Sequence, residues 1–258
     1  MTTATAALCT LQDVLRWRDS YRQEMNCQII HDSIHVRDGW TREYLLRLGG
    51  TPVGYGSVAV AGPWKDKPTI YEIHVAPPAR SRLFDLFDAL LAASGAAAIE
   101  TQSNDPTLGV LIHAFARTVA SESILFHDRL TTHHPQPHNA IFRPATPEDV
   151  AQIKENGLDE GAGWLLEVDG TIAATGGVLF HYNRPYGDIY MSVAEPCRRR
   201  GLGSYLVQEL KRICYERGDV PAARCNLTNP PSRRTLQKAG FVPCGHILVG
   251  DLAGPAPS

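Results

Sequence analysis

No two cysteines of this sequence stand at C-x-x-C spacing; Cys9, Cys27, Cys197, Cys214, Cys225 and Cys244 are scattered along the chain. That excludes a zinc ribbon or a thioredoxin-type redox centre. Long apolar runs are also missing. The longest, 89–99, contains Ser94 and Gly95 and is shorter than the ~20 residues a membrane helix needs. Nor is there the basic excess of a general nucleic-acid binder, since 25 Lys and Arg face 27 Asp and Glu for a net charge of −2. The opening residues, Met1-Thr2-Thr3-Ala4-Thr5, carry neither the basic stretch nor the apolar core of an export signal. These absences predict a cytoplasmic protein with reduced thiols, no membrane and no nucleic-acid partner. His127, His133, His134 and His138 gather around a Pro-containing stretch, 131–139, which reads as a solvated linker between domains, with no metal site assigned.

What is present is a repeat. The chain's 258 residues suffice for one large domain or two small ones. Tyr44-Leu45-Leu46-Arg47-Leu48-Gly49-Gly50-Thr51 aligns without gaps on Trp164-Leu165-Leu166-Glu167-Val168-Asp169-Gly170-Thr171, and Gly56 then falls on Gly176. Each segment reads as a hairpin. A second pair follows, Glu72-Ile73-His74-Val75 with the residues to Arg80, and Tyr190-Met191-Ser192-Val193 with the residues to Arg198. Helical stretches come next in both halves, 83–94 and 204–218; in the second, Leu202, Leu206, Leu210 and Ile213 form one apolar stripe. A strand and a shorter helix close each half, 98–102 with 107–116 and 222–226 with 232–239. The order predicts an α/β (α+β) fold with a mixed sheet and helices on both faces, in two domains, 1–136 and 137–258.

The run Arg198-Arg199-Arg200-Gly201-Leu202-Gly203-Ser204 stands between a strand pattern and a helix pattern. A strand, a glycine turn and a helix N-terminus converge backbone N–H groups on an anion, and the helix dipole adds partial positive charge. A P-loop is excluded because no G-K-[ST] follows, and a Rossmann turn because Leu206 occupies the third glycine position. Some 25 residues on come Asn229-Pro230-Pro231-Ser232 and then Gly240-Phe241. The pair R-x-x-G-x-G and N-x-x-S-x(7)-G-F resembles motifs A and B of the GCN5-related N-acetyltransferase (GNAT) family. The resemblance covers the chain from Ile141 to its end. It makes the chain similar to tandem GNAT proteins, with two GNAT-like acyl-CoA N-acyltransferase domains.

The resemblance implies acetyl-CoA as cosubstrate. Backbone N–H groups from Arg199, Arg200, Gly201, Leu202, Gly203 and Ser204 would hold its pyrophosphate. The main chain of Val193 and Glu195 would bind the pantetheine arm lying in a gap between splayed strands, and the Val193 N–H would polarise the thioester carbonyl. Asn229 would touch the same arm, and Ser232 would lie near it. Arg198, Arg200, Arg233 and Arg234 would form a basic rim for the 3′-phosphate. The N-terminal copy departs from the motif: Leu83 replaces the first glycine and Asp85 the second. Bulk and negative charge there oppose phosphate binding, so one cofactor per chain is expected. Only one short helix fits between Pro147 and Trp164, where the family usually has two, and the N-terminal domain is expected to supply the missing wall.

For catalysis the resemblance implies direct attack by an amine, with a carboxylate on the strand before the turn as general base. Asp188 is the carboxylate nearest that place; as a strand-start residue it also fits a structural cap. Glu195 and His181 are the further candidates for base. The usual motif B tyrosine position is Leu236, so Tyr190, Tyr205 or solvent would protonate the leaving thiolate. Cys197 reads as a packing or loop residue. The implied enzyme is an N-acetyltransferase (an acyltransferase) acting on a small-molecule amine. The alternatives are a protein lysine or N-terminal acetyltransferase and a non-catalytic acyl-CoA-binding module; an aminoacyl-tRNA-dependent transferase ranks below them. No motif specifies the acceptor or an oligomeric state.

Overall fold

The computed structural model describes residues 2–25, 28, 32–181 and 183–252. Cys27 lies outside the described residues, and the other five cysteines are free thiols. The chain divides into two compact units, Met1–Ser123 with Gly245–Ser258, and Ile124–Cys244. This division differs from a single cut after residue 136. The first unit takes back the end of the chain, and the 131–139 segment falls inside the second unit.

Unit 1 runs β1 (Ala4–Cys9), α1 (Leu11–Met25), β2 (Thr41–Leu48), β3 (Thr51–Ala59), β4 (Thr69–Val75), α2 (Leu83–Ser94), β5 (Ala98–Gln102), α3 (Pro106–Phe115) and the first part of β6 (Ala116–Asp128). Strand β6 continues into unit 2, which holds β7 (Ala140–Pro144), α4 (Val150–Glu155), β8 (Trp164–Val168), β9 (Thr171–Leu179), β10 (Tyr186–Val193), α5 (Leu202–Glu216), β11 (Val220–Asn226) and α6 (Pro230–Lys238). The last strand, β12 (Phe241–Leu252), begins in unit 2 and ends in unit 1. There its residues 247–251 pair antiparallel with β5.

Both units are antiparallel meanders broken by one parallel pair, the mixed sheet that the element order predicts. In unit 1 the order is β1-β2-β3-β4-β5-β12, with β4 and β5 parallel; in unit 2 it is β6-β11-β10-β9-β8-β7, with β10 and β11 parallel. The first hairpins of the two units share an irregularity, although β3–β4 also shifts register between Ser57 and Val58 where β9–β10 stays regular. The β2–β3 hairpin bulges between Leu46 and Arg47, and the β8–β9 hairpin between Leu166 and Glu167, positions that coincide in the gapless alignment. Parallel pairing stops after Ile70/Ile99 in one unit and after Asp188/Ala222 in the other, and Ile70 and Asp188 are aligned residues.

The core of unit 2 lies between its sheet and α5. Leu202, Leu206 and Leu210 are all buried there, with Ile189, Ala223 and Leu236. Burial of each leucine stabilises the unit by roughly 1.5–3 kcal/mol. Helix α6 starts on Asn229, whose Oδ1 accepts from the Ser232 N–H at 3.1 Å, with Pro230 at the first helical position. It ends before Gly240, at φ +90°, where a Cβ would stand 2.0 Å from the Leu130 carbonyl oxygen; only glycine closes this corner. The 131–139 segment is no free linker. The His134 N–H donates to Gln208 on α5 at 2.7 Å, and the His134 ring meets the Lys238 carbonyl at 2.9 Å.

Candidate active site

Three elements of unit 2 build the site: the end of β10, the loop into α5, and the start of α6. The loop gets its shape from two left-handed residues, Arg199 at φ +64° and Gly201 at φ +81°. Arg199 is not a glycine, so its conformation carries a strain of about 1 kcal/mol; such outliers are kept where a site needs the geometry. With Gly201 as N-cap, α5 begins at Leu202. The first N–H groups of a helix have no acceptor within it, so Leu202, Gly203 and Ser204 present theirs outward. The helix dipole places about half a positive charge at this point.

Beside the loop lies a cavity of about 790 Å³. Arg198, Arg199, Arg234 and Lys238 line it, together with Asn229 and Ser232, and among the described residues no carboxylate does. A dianionic phosphate group therefore meets positive charge from two elements. Arg200, Arg233 and Glu195 fall outside the lining. Glu195 is exposed and opens a short 3₁₀ turn, its carbonyl accepting from the Arg198 N–H at 3.3 Å. Gly203 has a different reason from Gly201: its Cβ would meet Thr235 at 3.2 Å and Val193 at 3.3 Å. Its missing side chain seats α5 tightly against β10 and α6. Cys197 is half-buried and packs on the apolar residues around Ala194. Leu236 is buried in the core and offers no proton.

Met191, Ser192 and Val193 line the same cavity, which thus reaches the gap beyond the last β10–β11 pair. The Ala194 N–H donates to Ala173 at 2.9 Å, toward β9. N–H groups alternate between the two edges of a strand, so those of Val193 and Met191 face the gap. Strand β10 keeps regular register with β9 from Asp188 to Val193, so its side chains alternate without a bulge. A Cβ on Gly187 would meet Cys214 of α5 at 3.1 Å. Gly187, Ile189 and Met191 therefore face α5, and Asp188, Tyr190 and Ser192 face away from it.

Asp188 sits at the vertex where the strands part, outside the cavity lining. Its Oδ2 lies 2.7 Å from His181 Nε2 and 3.4 Å from Arg224 Nε. Tyr190 shares this face, its hydroxyl donating to the Gly161 carbonyl at 3.3 Å; burial, then Asp159, push its phenol up. Tyr205 is buried beside α5's polar edge, and burial again raises its phenol. Arg224 lies 43 residues from His181, which is why spacing alone does not join it to His181 and Asp188.

The corresponding loop of unit 1 is spent on its own partners. Arg80 pairs with Glu24, and Arg82 with Asp85. Leu83 opens α2 and packs on that unit's core. The face of β4 away from α2 is filled by a buried ionic cluster. Glu72 binds Tyr55 at 2.7 Å, Arg18 at 3.3 Å and His35 at 3.0 Å, and His35 also meets Glu43 at 3.0 Å. Burial alone would raise the Glu72 carboxyl, but His35 and Arg18 hold it well below the usual range.

Residues 127–241 match the family model described as the acetyltransferase (GNAT) family. No curated protein matches the chain. Solved structures share its fold over nearly its whole length. A GNAT-family acetyltransferase from Colwellia psychrerythraea is 12% identical, with a TM-score of 0.74 over 96% of this chain and 100% of that one. A GCN5-related N-acetyltransferase from Sphaerobacter thermophilus is 15% identical, with a TM-score of 0.61 over 97% and 96%. A tandem GNAT protein from the clavulanic acid biosynthesis pathway is 13% identical, with a TM-score of 0.60 over 99% of each chain.

Proposed function

From a chain whose residues 127–241 match the model of the acetyltransferase (GNAT) family, and whose fold is similar to that of a tandem GNAT protein, we propose that unit 2 is an acetyl-CoA-dependent N-acetyltransferase. It transfers the acetyl group directly to a primary amine of a small molecule, and unit 1 is a degenerate copy without a working cradle. The observation that carries this reading is the cationic cavity at the α5 N-terminus, which runs into the gap between β10 and β11. A pyrophosphate fits the one end, and an extended thioester arm fits the other.

In this reading the N–H groups from Leu202 to Ser204 hold the pyrophosphate, with Arg199, Arg234 and Lys238 neutralising charge. The pantetheine arm lies along β10 and takes the open N–H groups of Met191 and Val193. The Val193 N–H receives the charge that develops on the thioester oxygen during attack. Asn229 keeps its Oδ1 as helix cap and turns its amide N–H toward the arm. Acetyl-CoA supplies an activated acyl group with a thiolate of pKa near 8.5 as leaving group, so an acid at position 236 is dispensable. The amine approaches from the Asp188 side, because α5 covers the other face. The Tyr190–Gly161 bond draws the 156–163 loop over that side, which suits a small acceptor.

Calorimetry with CoA and a thiol-release assay over amino acids, polyamines, aminoglycosides and lysine peptides test the proposal. One equivalent of CoA per chain and turnover of a small amine are expected. Two equivalents, or none, overturn the assignment of cradles, and preference for a lysine peptide selects the protein-acetyltransferase reading. The buried Leu236 favours one further reading, a CoA-binding module without turnover; CoA binding with no thiol release from any amine would select it.

A further inference from the structure

Ser192 is the residue of β10 that both lines the cavity and faces the acceptor's side of the sheet. It lies between Met191 and Val193, whose N–H groups face the gap, and its side chain points away from α5. Among the described residues its hydroxyl has no hydrogen-bond partner. Directly opposite it on β9 stands Thr175, 0% exposed, whose Oγ1 has no partner either. Opposed residues of an antiparallel pair share a face, with Cβ atoms about 4.5–5.5 Å apart, close enough for two hydroxyls to bond. Gly177 marks the same face of β9, since a Cβ there would stand 2.7 Å from the Tyr190 hydroxyl. In unit 1 the corresponding cross-strand pair is Tyr55 with His74, both buried. Two small hydroxyls thus leave room in unit 2 where two large rings fill unit 1.

We propose that the Ser192 hydroxyl relays a proton from the attacking amine to the leaving sulfur, and that Thr175 is a positioning residue acting through it. The proposal rests on the acetyltransferase reading above. A serine hydroxyl carries one hydrogen and two lone pairs, and each has a use here. The Thr175 O–H, which has no other acceptor, donates to one lone pair. An N–H of the amine donates to the other. The Ser192 O–H then points at the thioester sulfur. A hydroxyl that takes one proton as it gives another never ionises, so its weak acidity is no obstacle. The relay supplies the proton that Leu236, buried in the core, does not.

The step balances. The acceptor's ammonium first gives one proton to solvent, and the freed lone pair forms the C–N bond. The carbonyl π pair moves onto oxygen, at the Val193 N–H, and returns as the C–S bond breaks and its electron pair leaves on sulfur. The nitrogen, now cationic, gives a proton to Ser192 Oγ as the Ser192 proton passes to that sulfur. The serine is unchanged, and the products are the amide and the CoA thiol.

The test uses the full chain with the best amine found in the thiol-release panel. Ser192→Ala should lower kcat about 100-fold, with the CoA dissociation constant unchanged by calorimetry. Ser192→Thr keeps a hydroxyl and should recover at least about a tenth of the original rate. Thr175→Val should lower kcat about 5-fold while KM for the amine and the urea midpoint hold. In the Ser192→Ala background the same change should cost nothing further, which a structural role for Thr175 would not produce. Should the alanine chain fail to bind CoA, Thr175→Val alone carries the test, and an unchanged kcat overturns the relay. Full activity in Ser192→Ala, a threonine variant as slow as the alanine one, or an equal Thr175→Val loss in both backgrounds also overturns it and leaves the acetyltransferase reading standing. An unmutated chain that binds CoA but releases no thiol with any amine overturns both.

Discussion

Arg198 folds back on the strand it follows, its Nε donating to the Val193 carbonyl oxygen across 3.1 Å. The aligned pair in unit 1 makes the same bond, Arg80 Nε to Val75 O at 2.9 Å. The arginine of R-x-x-G-x-G is therefore first a brace. It ties the loop to the strand end and occupies the Val193 carbonyl, while the Val193 N–H stays on the gap side.

Arg198→Ala is expected to weaken CoA binding about 10-fold, through a loosened loop as much as through lost charge. Arg198→Lys should recover only part of this, because a point charge lacks the fixed fork of a guanidinium. Arg80→Ala should leave CoA affinity unchanged. Calorimetry on the three variants checks all of this; a CoA affinity that follows Arg80 would place a second working cradle in unit 1.

Arg199 offers a way to separate strain from charge. Its left-handed backbone costs about 1 kcal/mol, and glycine relieves that while adding freedom to the unfolded chain. Arg199→Gly should therefore hold stability, or raise it by about 0.5 kcal/mol, and still weaken CoA binding about 5-fold. Urea unfolding beside CoA calorimetry measures both. A loss of stability with unchanged binding would mean that the side chain, not the backbone, shapes the loop.

Much of this was legible in the sequence, and the reasons are local. Hairpins, the α5 stripe and the glycine turn are written in contiguous residues, and the gapless repeat predicted the same order of elements in both halves. What was not legible depends on distant partners. Strand β1 (Ala-Thr-Ala-Ala-Leu-Cys) has no strong alternation of its own and is ordered by pairing with β2. The end of β12 belongs to unit 1 because residues 247–251 pair with β5, a choice no local pattern records. The 131–139 segment reads as polar and Pro-containing, yet it docks on α5 and α6 through backbone groups. The Asp188–His181–Arg224 cluster joins a loop and two strands; the sequence offers Asp188 and His181 as candidates but not their pairing, nor Arg224.

The ionic cluster of unit 1 predicts a pH dependence. Burial opposes protonation of His35, but Glu72 and Glu43 outweigh it and push its pKa up to about 9. A histidine raised in the folded state contributes stability that is complete below its unfolded pKa of about 6.5 and is lost as pH rises through about 9. Unfolding followed by the fluorescence of Trp17, Trp40 and Trp64 should show a loss on the order of 3 kcal/mol between pH 6.5 and 9.5. His35→Gln should flatten that slope. A profile that stays steep in the glutamine variant would assign the titration to another group.

Lys211 holds the Gly240 corner from α5. Its side chain is 7% exposed, and Nζ meets Asp128 at 2.7 Å, the Ala239 carbonyl at 2.7 Å and the Leu130 carbonyl at 3.0 Å. One buried ammonium thus joins α5 to the end of α6 and to the chain leaving β6. Removing it leaves the buried Asp128 carboxylate, 6% exposed, with the Tyr215 hydroxyl and no cation, and frees two carbonyls, so Lys211→Met should cost about 3 kcal/mol. Removing both charges, Lys211→Met with Asp128→Leu, should cost less than the single change, since no uncompensated charge remains. Urea unfolding of the single and double variants gives the coupling directly. Additive costs would show that the carbonyl bonds, rather than the ion pair, hold this corner closed.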